Sequence, residues 1–205
     1  MFTRLWLALG VLVVTSVGLA QREFFGACEP AISTIVLDGP ADPVTSERMQ
    51  VIFDEDQAAR MGEDIDWKVL NREDSARRVE VMGYLQDGKL TTGADMYNAA
   101  FIFQHGNCPK HYKLANRLAG RAIVLDYNDA RWIYAATLDR YLLSRGEKQK
   151  FGTQYTSTDS CTYVLEPVDP GMTDAYRALY GVPSLAEAEA ATAGFAAESC
   201  PNPED

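Results

Sequence analysis

Histidine is nearly missing from this chain, at two residues in 205, and so are the motifs that announce a reaction. It has no nucleophile elbow, phosphate-binding loop, HExxH pair or dinucleotide fingerprint. Basic residues are outnumbered, 19 Lys and Arg against 29 Asp and Glu, giving a net charge of −10. That balance argues against a nucleic-acid partner, because phosphate binding needs a basic face. After residue 20 no apolar run approaches the roughly 20 residues that a spanning helix needs. No period of about 34 residues can be laid over Trp67 to Arg145. The likeness of the alanine-rich helix pairs to tetratricopeptide repeats is therefore one of architecture by analogy only.

What the sequence does have begins at its N-terminus. Met1 to Arg4 is a short basic start, Leu5 to Ala20 is apolar and uncharged, and Gly18-Leu19-Ala20 offers small residues for cleavage. Residues 1–20 read as a signal peptide, either removed after Ala20 or kept as an anchor through residues 5–20. The protein is then expected to be exported, periplasmic or secreted, and to meet the membrane only through this segment. In an oxidising compartment Cys28, Cys108, Cys161 and Cys200 make two disulfides. The preferred pairing is Cys28–Cys200 and Cys108–Cys161, although spacing leaves three connectivities open.

With 47% hydrophobic and 23% charged residues, the remainder suits one globular domain with a substantial core. Residues 21–45 read as an irregular lead-in containing one β-prone run, Ile32 to Leu37. Helical spacing then recurs. Ser46 caps a first helix to about Met61, and Asn71 or Asp74 opens a second carrying Val79, Met82 and Leu85. Thr92 starts a third that Gly106 stops. Pro109 starts a fourth with a narrow stripe of small residues, Ala115, Ala119 and Ala122. A fifth runs from about Asn128 to Arg145. Phe151–Tyr155 and Cys161–Leu165 read as a small hairpin. A short helix over Asp174–Tyr180 and one capped by Ser184 complete a domain spanning 46–197, and the tail 198–205 is expected to lack structure. The expected fold is mainly α, built of antiparallel helix hairpins or a short tetratricopeptide-like bundle with a small β-hairpin near the C-terminus.

Leu138 to Tyr155, LDRYLLSRGEKQKFGTQY, is the segment where polar chemistry concentrates. Leu138, Tyr141, Leu142 and Leu143 give an apolar helix end that nevertheless carries Asp139 and Arg140. The turn that follows brings Gln149, Thr153 and Gln154. His105 closes an equally apolar helix, AAFIF. Burying such groups unpaired costs several kcal/mol, so partners are required. A His105–Asp139 hydrogen bond would fix the imidazole tautomer, as a general base needs. A structural latch of helix ends is the blander and favoured reading.

These segments, AAFIFQHG, LDRYLLSRGEKQKFGTQY and AYRALYGVPSLAE, resemble an uncharacterised bacterial family classed as a domain of unknown function. The resemblance runs from about Met49 to Glu187, since Asp56-Gln57 and Arg60 also fit its opening D-Q-x-x-R. It implies Gln57, Arg60, Gln104, His105, Asp139, Arg140, Gln149, Thr153 and Gln154 as the site set, and no activity comes with it. The chain departs from the pattern in carrying Cys108 and Cys161, and in a single arginine, Arg177, in its short C-terminal helix.

HGNCPKH places His105, Cys108 and His111 at every third residue. These are metal-ligand types, but Gly106 and Pro109 break the helix that would align them. His111 reads as a first-turn surface residue, and no metal or cofactor is assigned. The acidic stretches Asp54-Glu55-Asp56 and Glu63-Asp64-Asp66 read as solvated faces. The favoured function is a non-catalytic binding module centred on His105, Asp139, Arg140 and Gln154, for a small molecule, peptide or envelope protein. The alternative is a hydrolase or transferase, with His105 as acid/base, Asp139 as its orienting carboxylate and Arg140 as an anion clamp.

Overall fold

The computed structural model describes residues 14–15, 28, 34–62, 64–157 and 162–199. Most of residues 1–20, Cys161, Cys200 and the tail from Cys200 onward lie outside them. Seven helices occupy the described residues: α1 Pro43–Ala58, α2 Trp67–Gln86, α3 Gly93–Gln104, α4 Pro109–Val124, α5 Ala130–Leu143, α6 Asp174–Leu179 and α7 Leu185–Ser199. None of these helices is long and apolar enough to cross a membrane.

The fold is the expected mainly α bundle with a small hairpin near the C-terminus. Strands β2 (Tyr155–Ser157) and β3 (Tyr163–Leu165) pair antiparallel, with Thr156 opposite Val164. A two-residue strand, β1 (Val14–Thr15), runs parallel to β2.

Local chemistry sets the helix starts. Thr92 caps α3 through a reciprocal box, its hydroxyl accepting from Asp95 N while the Asp95 carboxylate accepts from Thr92 N. Two starts differ from the sequence expectation. The cap of α1 is Asp42, not Ser46, because Pro43 is preorganised for the first helical position and Asp42 accepts from Thr45 N. Ser46 instead donates to Asp95 at 3.0 Å, tying α1 to α3. Helix α2 begins at Trp67 behind Asp66, which accepts from Lys68 N and Val69 N. Asp74 is thus a mid-helix residue, and it is buried.

Helix α3 is the axis of the core. It buries Met96, Ala99, Ala100, Phe101, Ile102 and Phe103 and packs against α1, α2, α4 and α5. The small residues of α4, Ala115, Ala119 and Ala122, are fully buried and allow close approach of α3 and α5. A smaller core of Ala135, Phe151 and Val182 seats the C-terminal part on α5.

The expected disulfide pairing is corrected. Cys28 is bonded to Cys108, with Cα atoms 5.7 Å apart. The lead-in is therefore tied to the start of α4, and neither Cys28–Cys200 nor Cys108–Cys161 is formed. His111 is corrected too: its side chain is fully buried. Gly106 leaves the space that the imidazole fills, since a Cβ there would lie 2.3 Å from His111 Cβ.

Candidate functional site

The predicted site residues divide into two polar clusters, one at each side of the Asp139–Arg140 pair. Adjacent residues on a helix point about 100° apart, so one pair on α5 can serve both.

The first cluster forms where the C-terminal ends of α1, α3 and α5 meet the middle of α2. Asp56, on the last turn of α1, is fully buried, which corrects its reading as part of a solvated acidic face. Its carboxylate accepts from Arg60 Nη1 at 2.9 Å and from Gln57 Nε2 at 2.8 Å. Arg60 also donates to the Asp56 carbonyl and, through Nη2, to Asp74 at 2.7 Å. Arg77 donates to the other oxygen of Asp74 at 2.8 Å. Two arginines serve the end of α3: Arg78 donates to His105 O at 2.8 Å and Arg140 to Gln104 O at 3.3 Å. Cations at these carbonyls oppose the negative end of the helix dipole.

His105 sits in the middle. Its Nε2 is 3.5 Å from Asp56 Oδ2 and 3.4 Å from the Gln104 amide nitrogen. Burial, reinforced by the charges of Arg60, Arg140, Arg78 and Arg77, holds its pKa well below the usual histidine value, so the ring is neutral near pH 7. Burial pushes Asp56 up to about 6, with Asp74 adding to the rise while Arg60, Arg77 and Gln57 work against it. Burial also lowers Arg78 and Arg140. Tyr112 on α4 is raised by burial and held down by the charges of Arg140 and Arg78.

Three buried nitrogens in this one cluster have no hydrogen-bond partner: Arg60 Nε, Arg140 Nε and His105 Nδ1. Among the described residues no carboxylate lies within 4 Å of Arg140.

The second cluster is built by the turn after α5. Asp139 is fully buried and accepts from the backbone N–H groups of Lys150 (2.7 Å), Phe151 (2.9 Å) and Thr153 (3.1 Å), and from Thr153 Oγ1 at 2.8 Å. Burial raises its pKa, and those four donors oppose the rise. Gln149 knits the same turn to the hairpin: Nε2 donates to Gln154 O and Glu166 O, and Oε1 accepts from Gln154 N. Gln154 donates to Thr153 O and Oγ1. Arg177 of α6, fully buried, donates to Phe151 O. Every side chain of this cluster is engaged in holding the turn.

Of the nine residues predicted from sequence, Gln57, Arg60, Gln104, His105 and Arg140 therefore meet in the first cluster. Asp139, Gln149, Thr153 and Gln154 meet in the second. The His105–Asp139 hydrogen bond is not formed, because Asp139 is saturated by the turn and Asp56 stands beside the imidazole. Asp74, Arg77, Arg78 and Tyr112 were missed. Asp74 and Arg78 share an i,i+4 face of α2 with Val81, Met82 and Leu85, all buried, and charged residues on an apolar stripe are the signal that could have found them. A shallow surface depression lined by Asp64, Ile65, Asp66 and Trp67 shares no residue with either cluster. Searches against protein-family models, curated proteins and solved structures found no match to this chain.

Proposed function

We propose that this chain is an exported, non-catalytic helical binding module whose ligand presents an anionic group, a carboxylate or phosphate, to the His105 cluster. The observation that carries this reading is the concentration of buried, partnerless nitrogens at Arg60, Arg140 and His105. A guanidinium withdrawn from water without a counter-charge costs several kcal/mol, and burial already depresses Arg140. An anion between Arg60 and Arg140 would give Arg140 the counter-charge that Arg60 already has in Asp56 and Asp74, and accept from both Nε–H groups. His105 would donate through Nδ1 in the tautomer whose Nε2 accepts from Gln104. Arg60 and Arg77 are 11% and 12% exposed, so the cluster touches solvent on that side. Export is supported by the apolar run over residues 5–20 and by a disulfide at Cys28–Cys108.

The test is thermal denaturation of the protein with phosphate, sulfate and small carboxylates, each against potassium chloride of equal ionic strength. A ligand for the native state alone raises the melting temperature. The expected result is a saturable rise that Arg140→Gln abolishes and Arg145→Gln, at an exposed position, retains. No rise beyond the chloride control, or a rise that survives Arg140→Gln, overturns the reading.

One observation favours a second reading, as a hydrolase or transferase. A neutral His105 beside Asp56 has the pairing of a general base with an orienting carboxylate, the part first expected of Asp139. Turnover abolished by His105→Ala, with anion binding through Arg140 intact, would establish it.

A further inference from the structure

We propose that Cys28, Cys108 and His111 form a three-ligand site for Zn2+ when the Cys28–Cys108 disulfide is reduced, so that metal occupancy is governed by redox state. The three ligand atoms lie within 4.8 Å of one another. His105, the third member of the HGNCPKH spacing, takes no part; its place is filled by Cys28, a residue 80 positions from Cys108.

The geometry matches the chemistry. Zinc bonds to thiolate at about 2.3 Å and to imidazole nitrogen at about 2.0–2.1 Å, so a tetrahedral angle separates the two ligand atoms by about 3.6 Å. His111 Nε2 lies 3.7 Å from Cys28 Sγ. The ring is held in place before any metal arrives. It is fully buried, its Nδ1 edge lies against Gly106, where a Cβ would come within 2.5 Å of that nitrogen, and Phe103 flanks it with ring centroids 5.9 Å apart. Nε2 is therefore the nitrogen presented to the sulfurs. Cys108 is the N-cap of α4, where the helix dipole stabilises a thiolate. Both cysteines are partly exposed, which leaves them open to a reductant and to a metal ion.

The chemistry balances in two steps. A dithiol reductant gives two electrons and two protons to the Cys28–Cys108 bond and leaves as its own disulfide. The two thiols then release two protons as they bind Zn2+ with neutral His111, giving a site of zero net charge. Three protein ligands leave the fourth position for water or a further ligand. In the oxidised protein the sulfurs are bonded to each other and no thiolate is available.

The test uses Co2+ as a spectroscopic stand-in for zinc on the full chain, reduced with a phosphine and kept anaerobic. The reduced protein should bind one Co2+ with thiolate-to-cobalt charge-transfer absorption, and Zn2+ should displace it. The band should be absent from the oxidised protein and from Cys28→Ser, and retained in Cys161→Ser and Cys200→Ser. His111→Asn should weaken binding, but His111 is buried, so Cys28→Ser is the deciding variant and circular dichroism verifies its fold. No band in the reduced wild type, or an unchanged band in folded Cys28→Ser, overturns the proposal. Loss of the band in Cys161→Ser or Cys200→Ser with retention in Cys28→Ser places the metal elsewhere and overturns it equally.

Discussion

His105 Nε2 stands 3.5 Å from Asp56 Oδ2, inside a ring of four arginines. The pair reverses ordinary protonation: the imidazole is held neutral, while the carboxyl, raised to about 6, holds its proton longer than a free aspartate. Burial drives both shifts, since each group is most costly in its charged form.

His105 should thus stay neutral at about pH 6, where a free histidine is mostly protonated. With two histidines in the chain, the ring carbon shifts can be followed by NMR and assigned with His105→Ala. The sign for stability follows. The native pKa lies below the unfolded one, so the His105 contribution is whole above about pH 6.5 and declines as pH falls through that value. A ring that titrates at or above its unperturbed value would contradict the burial argument.

Asp56 has the opposite slope. Its native pKa of about 6 lies above the ordinary 3.8, so its contribution is whole below about pH 4 and is lost as pH rises through about 6. Two pH units correspond to about 3 kcal/mol. Asp56→Asn should therefore gain on the wild type as pH rises from about 4 to 7, read as the difference in melting temperature at each pH. A gap moving the other way would mean that Arg60 and Arg77 outweigh desolvation.

Asp139→Asn should be among the most damaging single changes. An amide replaces one accepting oxygen with a donor facing backbone N–H groups, costing about 3 kcal/mol. Thr153→Val removes the two hydroxyl bonds, to Asp139 and from Gln154 Nε2, and leaves the three backbone donors to Asp139 in place, costing about 1–2 kcal/mol. Denaturant unfolding measures both, and trypsin should cut faster at Lys148 and Lys150 in Asp139→Asn. Equal losses from the two changes would show that the carboxylate is not the organiser of the turn.

Gly146 and Gly152 share a left-handed backbone, with φ of 77° and 78°. Nothing lies within 4 Å of a Cβ at Gly146, whereas one at Gly152 would meet the buried Arg177 Nη1 at 3.0 Å. Gly146→Ala should cost about 1 kcal/mol from conformation alone. Gly152→Ala should cost more, because Arg177 donates to Phe151 O and has no room to retreat. Indistinguishable melting temperatures for the two would remove Arg177 from its assigned role.

Peptide mapping under non-reducing conditions should recover Cys28 joined to Cys108. A loop of this length stabilises by about 4–5 kcal/mol in the chain-entropy account, so reduction should lower the melting temperature clearly. Recovery of Cys108 joined to Cys161 would restore the pairing first expected from the sequence.

The helices were legible because their signals are local. Apolar spacing, the Thr92–Asp95 box, Pro109 and the glycines act within one or two turns, so Gly93–Gln104 and Pro109–Val124 could be read without knowing their neighbours. The polar centre was legible only in outline. An apolar run ending in His105, and Asp139-Arg140 set in another, announce that partners must exist. Which partners they are depends on residues far apart in the chain.

The sequence by itself determined that these groups would be buried, because hydrophobic periodicity dictates which face turns inward. Only the tertiary structure decided the pairings. It gave His105 to Asp56 because the ends of α1 and α3 coincide. It gave Asp139 to the Lys150–Thr153 turn because that turn folds back over α5 within fourteen residues. It took Cys28 across eighty residues to Cys108. Burial is a one-body property written in local pattern, whereas a hydrogen bond or disulfide needs two groups in register. That register is fixed by the packing of whole helices.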